Sequence, residues 1–321
     1  METQNIPTSA MNAKVFESIV NDPMLKQAQS AATNYTRITV REDGFAPKIL
    51  PCELATDDML DRGLTEDLQI IWEIECETPG SKWVPLQTVP DSEYIEGSRY
   101  VIPFARLVTP KFVKDIDELR TTRMDLRKVC TDNSIKDGLA EYDGKFIDTV
   151  NDIVFDCDDY GRQSLSGKIQ LQDFADGLTR VNLAEAKKML PRGNEQGMYR
   201  LRNYICLMNE ITAQDLLKLD RNAIGGDLAE ENFKNGLSAS ADSIMGMKTI
   251  FTIKSDLVPE DYMYMFAAPE FLGKAFYLQD WTMYMKKEAF FVEMFSSYLG
   301  GMAFGNIAGM ALVRFNQTSV S

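Results

Sequence analysis

Histidine is absent from all 321 residues. Its absence excludes Ser-His-Asp and Cys-His nucleophile pairs, His-ligated zinc and imidazole pH switches, each of which needs that ring. Cysteine is scarce. Cys52, Cys76, Cys130, Cys157 and Cys206 are odd in number, widely spaced and never in a CxxC pair. That pattern fits reduced thiols in a cytosolic setting, not a disulfide framework or a zinc site. Positive charge is also short: 34 Lys and Arg against 48 Asp and Glu give a net charge of −14. Such a surface repels a polyanion, so affinity gained by neutralising phosphates is excluded, although a wall that encloses nucleic acid without gripping it is not. The start, METQNIPTSA, has neither a basic beginning nor an apolar core, so no signal peptide is expected.

Long apolar runs are nearly absent as well. Met294 to Val313 alone carries no charge over a bilayer-spanning length, with Gly301, Gly305 and Gly309 in GxxxG spacing. Ser296, Ser297 and Asn306 lower its hydropathy, and no basic cluster flanks it to set an orientation. The glycines therefore read as close backbone approach in a packed sheet or subunit contact, and no membrane partner is expected.

What is present is ordinary for a folded protein: 45% hydrophobic and 26% charged residues, in a chain long enough for one large or two ordinary domains. Residues 1–36 are polar, with one short helical pattern at Val15 and Ile19. From Arg37 to Pro110 the pattern is strands and turns. Ile70, Trp72, Ile74 and Cys76 alternate with Ile71, Glu73, Glu75 and Glu77, an apolar-in, acid-out ribbon. Thr78-Pro79-Gly80-Ser81 signals a turn, Trp83-Val84 begins a return strand, and Tyr94 to Val108 supplies more strand. A two-stranded ribbon alone is marginal in water, so this one needs a partner surface.

Phe112 to Val154 reads as helical in two parts. Val113, Ile116, Leu119, Leu126, Val129 and Cys130 form one stripe; Ile135, Leu139, Tyr142, Phe146, Ile147 and Val150 form the second. Gly138 and Gly144 each weaken the second helix by about 1 kcal/mol relative to Ala. Beyond Asp156 the pattern is mixed. Asn182 with Glu185 forms a capping box, Thr212 caps a helix through Leu219, Asp227 to Lys234 forms another helix, and Lys248 to Lys254 is a strand. Near the C-terminus Met263 and Met265, then Trp281, Met283 and Met285, alternate with period two. Helices and strands without βαβ regularity imply an α+β fold.

Candidate chemistry is thin. Asp156-Cys157-Asp158-Asp159-Tyr160-Gly161 copies the opening of an EF-hand loop, but the twelfth position, where a bidentate Glu belongs, is Gly167. Gly161 to Lys168 has a P-loop's ends with a spacer one residue too long, and Ile169 stands where the hydroxyl residue should be. Glu53, Asp57, Asp58, Asp61, Glu66 and Asp67 could hold a metal or act as an acid/base pair, which keeps a cytosolic metal-dependent hydrolase as an alternative; a solvated loop or a seam between subunits suits them better. The aromatic residues of the C-terminal region have few Lys or Arg among them, so they read as core and not as a base-stacking platform. No catalytic, cofactor or metal residue is expected.

The stretch from Asp261 to Asn316 carries a resemblance. Its order, Phe271-Leu272-Gly273-Lys274 leading into a long strand pair, an aromatic-acidic segment, the Gly300–Gly309 run and a last apolar strand to Phe315, resembles the closing region of tailed-phage major capsid proteins of the HK97 fold. Ile102 to Leu119 resembles the segment that leaves their extended hairpin for the spine, and Asn209 to Gly236 resembles their axial domain. The resemblance implies an N-terminal arm at 1–36 and an extended β-hairpin (E-loop) with the strand into the peripheral domain at 37–110. It further implies peripheral-domain helices with a long spine helix at 111–154, an axial domain at 155–260 and closing strands of both domains at 261–321. It implies a structural subunit, not an enzyme, forming hexamers and pentamers of an icosahedral shell around double-stranded DNA without sequence-specific binding. The shell would be assembled in the host cytoplasm, become the virion capsid, and have scaffolding, portal and decoration proteins as possible partners. Ile70, Trp72, Ile74 and Trp83 become the expected intersubunit contact, and Lys82 with Asn306 a candidate cross-link. An encapsulin-type nanocompartment shell is the alternative within the same fold.

Overall fold

The computed structural model describes residues 29–36, 44–61, 67–73, 83–84, 86, 92, 99–115, 126–159, 170–190, 192–193, 200–218, 243–288 and 290–315. Two sheets and one long helix organise them. The first sheet is built on a hairpin of β11 (Gly273–Glu288) and β12 (Phe291–Phe304), paired antiparallel from Gly273↔Phe304 to Glu288↔Phe291. β1 (Cys52–Leu54) adds in parallel to β11, while β4 (Ala105–Val108) and β5 (Phe112–Asp115) add to the other edge along β12. Between β4 and β5, Thr109 keeps the chain on β12: Ser296 N–H donates to Thr109 Oγ1 at 2.8 Å and Thr109 N–H to Ser296 O at 3.0 Å.

Phe112 to Asp115 thus corrects the expected lead-in helix. The side chains there favour a strand when a partner is offered, and Phe291 to Met294 offers one. Residues 116–125 lie outside the described ones. The two expected helices are otherwise a single one, α2 (Leu126–Asp159), 34 residues and about 50 Å long. The expected stripe is buried: Ile135, Leu139, Tyr142, Phe146, Ile147 and Val150, continued by Val154. Gly138 is where the helix meets the first sheet. A Cβ built there would stand 2.4 Å from the Trp281 ring, so the missing side chain is what lets that indole lie against the helix.

The second sheet is six-stranded, in the order β8-β9-β7-β10-β13-β6. Its strands are β6 (Leu171–Phe174), β7 (Ile205–Asn209), β8 (Ser243–Ile244), β9 (Met247–Thr252), β10 (Tyr262–Phe266) and β13 (Met310–Phe315). The expected strand from Lys248 begins one residue earlier and ends at Thr252. β10 is buried on both faces. Tyr264 and Phe266 turn to the core shared with α2, where Phe266 and Phe146 lie 5.7 Å apart. Met263 and Met265 pack with Cys206, Met208, Met247 and Val313 against α3 (Arg180–Lys187). The β8–β9 turn places Met245 at φ 51° and Gly246 at φ 80°, the left-handed pair of a two-residue hairpin.

Two caps differ from expectation by three residues. Thr179, not Asn182, caps α3, its Oγ1 accepting from Asn182 N–H at 3.2 Å. Asn209, not Thr212, caps α4 (Glu210–Gln214), its Oδ1 accepting from Ile211 N–H at 2.9 Å. Polar residues three apart look alike as caps in sequence, and only the backbone decides which one is outside the helix. The expected helix from Asp227 to Lys234 lies outside the described residues. Residues 29–36 are helical and pack on the first sheet, with Ala32 beside Met283, Val292 and Met294, and Met283 N–H donating to Thr33 Oγ1 at 3.2 Å. The uncharged run from Met294 to Val313 falls mainly in β12 and β13. Among the described residues no helix is long and apolar enough to cross a membrane.

Candidate assembly surfaces

The ribbon is where the sequence placed its contact residues. β2 (Gln69–Glu73) pairs antiparallel with β3 (Arg99–Pro103), from Gln69↔Pro103 to Glu73↔Arg99. The alternation holds: Ile70 is 1% exposed, whereas Ile71 and Glu73 face outward. What covers the apolar face is the protein's own first sheet. Ile70 and Ile102 close on Phe276 and Ala55, and the Trp72 ring lies 5.5 Å from the Phe276 ring with Lys274 Nζ 5.4 Å above it. This corrects the expectation of a face left empty until assembly, for Ile70 wholly and for Trp72 in part. Alternation tells which side is apolar, not that β11 passes beneath it. Among the described residues the strand that returns along β2 is Arg99–Pro103, and Trp83-Val84 are not in a strand. Ile74, the turn at 78–81 and Lys82 lie outside the described residues.

Trp83 behaves differently from Ile70 and Trp72. It is 104% exposed and Leu86 98%, two large apolar side chains that no described residue covers. Asn306, the other half of the candidate cross-link, caps a turn, its Oδ1 accepting from Ala308 N–H at 3.1 Å.

The interior holds a polar pin that sequence reasoning missed. Asp143, fully buried on α2, accepts from Ala46 N–H of α1 (Ala46–Ile49) at 3.1 Å and from Lys254 Nζ at 2.6 Å. It ties α2 to the segment before β1 and to the end of β9. Burial raises its carboxyl above the ordinary value, while Lys254 and the backbone N–H groups pull it back. The signal was available: an acid inside the stripe Leu139-Tyr142-Phe146 must have a partner. Nearby, Tyr142 Oη and Cys52 Sγ lie 2.9 Å apart, with the Tyr298 hydroxyl 3.8 Å from the same sulfur. Burial pushes both phenols well up, and it pushes the Cys206 thiol up to about 12, so these groups keep their protons at neutral pH.

Among the described residues, which leave out Glu66, the acids do not converge: no group of three or more ligating side chains could hold a metal ion. Glu53 pairs with Lys274 at 3.2 Å, Asp61 accepts from Gln69 Nε2 at 3.1 Å, and Asp57 and Asp58 sit on a 3₁₀ turn. Asp156 to Asp159, the expected opening of an EF-hand loop, are the last turn of α2.

No family model and no curated protein matches the chain. Solved structures do match it in fold. The capsid of cyanophage P-SCSP1u aligns over 86% of this chain and 93% of its own, with a TM-score of 0.56 and 10% identity. Microbacterium phage Oxtober96 aligns over 85% and 91%, with a TM-score of 0.57 and 8% identity. The capsid of Ralstonia phage GP4 aligns over 84% and 88%, with a TM-score of 0.54 and 14% identity. The chain therefore has the α+β, HK97-like fold of phage capsid structures.

Proposed function

We propose that this protein is a major capsid subunit, a structural protein that self-assembles into the icosahedral head enclosing the double-stranded DNA of a tailed phage. Fold likeness to capsid chains over most of their length supports the reading. The observation that carries it is Trp83 with Leu86, wholly exposed on the long connection between β2 and β3. A tryptophan left uncovered in the subunit is an interface anchor in waiting; such residues contribute on the order of 2–4 kcal/mol each when covered. In this reading the first sheet with α2 is the peripheral domain, the second sheet the axial domain, and residues 74–98 the E-loop that lies over an adjacent subunit. Hexamers and pentamers then repeat one modest contact over a closed lattice, where weak contacts add. The net charge of −14 suits a wall that contains DNA without binding it.

Assembly would take place in the host cytoplasm, with the virion as the final location, and the role would be structural and not catalytic. Sedimentation of the purified protein tests the reading. Particles of many subunits are expected, and a sharp monomer or dimer at high concentration, persisting with any scaffolding factor supplied, would overturn it.

A further inference from the structure

A cleft opens between the edge strand β4 and helix α2, with about 170 Å³ of free space. Its floor is Leu107, Tyr142, Tyr298 and Met302, and its rim carries Arg106 and Lys145 beside Glu141. An apolar cavity of about this size holds one aromatic ring. Cations at the rim can also lie over the face of that ring. We propose that this cleft is the receptor for Trp83 of a neighbouring copy of the chain, an inference that rests on the capsid reading and names the surface its loop would engage.

Three observations select that occupant. Trp83 is a ring-sized apolar group that no described residue covers. Residues 74–98 carry five acids (Glu75, Glu77, Asp91, Glu93 and Glu96) against one cation, Lys82, whereas the rim carries two cations against one acid. The subunit's own state argues for a copy in trans: Trp83 is wholly exposed and the cleft between β4 and α2 stands open in the same chain, so the ring does not fill its own cleft.

The test uses two measurements. In the first, Trp83→Cys and Arg106→Cys are combined in one chain, and assembled particles are treated with a short bis-maleimide. All variants carry Cys52→Ser, because that thiol lies against the Tyr142 and Tyr298 hydroxyls of the cleft itself. A ladder of covalent multimers is expected from the double variant and from neither single variant, the singles controlling for Cys130 and the other native thiols. Particles that give no ladder, or only a cross-linked monomer, overturn this inference and leave the shell reading standing. A wild-type protein that forms no particles removes both. In the second, hydroxyl-radical footprinting of the wild type needs no substitution and so decides the matter if the double variant does not assemble. Oxidation of Trp83 and of Met302 should both slow several-fold on assembly, relative to Met245 on the second sheet. An unchanged rate at either one refutes the pairing.

Discussion

Two glycines on α2 that are equivalent by helix propensity should respond oppositely to alanine. Gly144 has room: a Cβ there would lie 3.6 Å from Leu257 Cδ2, an ordinary contact. Gly144→Ala should therefore gain most of the propensity difference, about 0.5–1 kcal/mol. At Gly138 the same methyl would stand 2.4 Å from one carbon of the Trp281 ring and 2.7 Å from another. That ring has nowhere to go. It is 3% exposed and stacked on Tyr298, centroids 5.2 Å apart and planes 22° from parallel. Overpacking of this kind costs about 1–3 kcal/mol, which exceeds the propensity gain, so Gly138→Ala should destabilise by about 1–2 kcal/mol. The two variants should differ by roughly 2 kcal/mol, or about 3 °C in melting midpoint. Differential scanning calorimetry of unassembled subunits reads the difference. Equal shifts would show that Trp281 does not press on α2 at Gly138, and the account of how the helix seats on the first sheet would fail.

Lys254→Met should cost about 3 kcal/mol in urea unfolding, because it leaves the Asp143 charge buried without its partner; a change under ~0.5 kcal/mol would refute the pin. Asp143 also fixes the sign of a pH effect. Its native carboxyl is raised above the ordinary 3.8, so its contribution to stability is greatest below 3.8 and is lost as pH rises through the raised native value. Wild type should therefore gain stability relative to Asp143→Asn as pH falls from 7 towards 4, and a relative loss would contradict the burial argument. Gly301→Ala places a methyl 2.2 Å from the Pro103 carbonyl oxygen, backbone that cannot rotate away, and should lower stability by about 3 kcal/mol in the same assay; an unaffected variant would mean that β3 does not ride on β12 there. EDTA should leave the melting temperature unchanged, and a fall of several degrees would revive a metal-binding reading.

Much of this was legible in the chain because periodicity reports burial directly. The stripe on α2, the alternation at Ile70 and Trp72 and the glycine run at β12 are each local patterns. What failed was whatever depended on a partner distant in sequence. Phe112 to Asp115 is a strand only because β12 receives it, and Trp72 has a neighbour only because β11 brings Phe276 beneath it. The Asp143–Lys254 pair spans 111 residues, and no local pattern marks which lysine answers a buried acid. Trp83 and Ile70 are both apolar residues of one ribbon, and exposure, which sequence does not report, separates them.

Electron cryo-microscopy of the purified protein, alone and with any scaffolding factor, tests the central claim most directly. The account predicts closed shells in which this chain forms fivefold and sixfold capsomers, with residues 74–98 of each subunit lying over the next. A uniform population of small oligomers, or shells in which that loop lies on its own subunit, would contradict it.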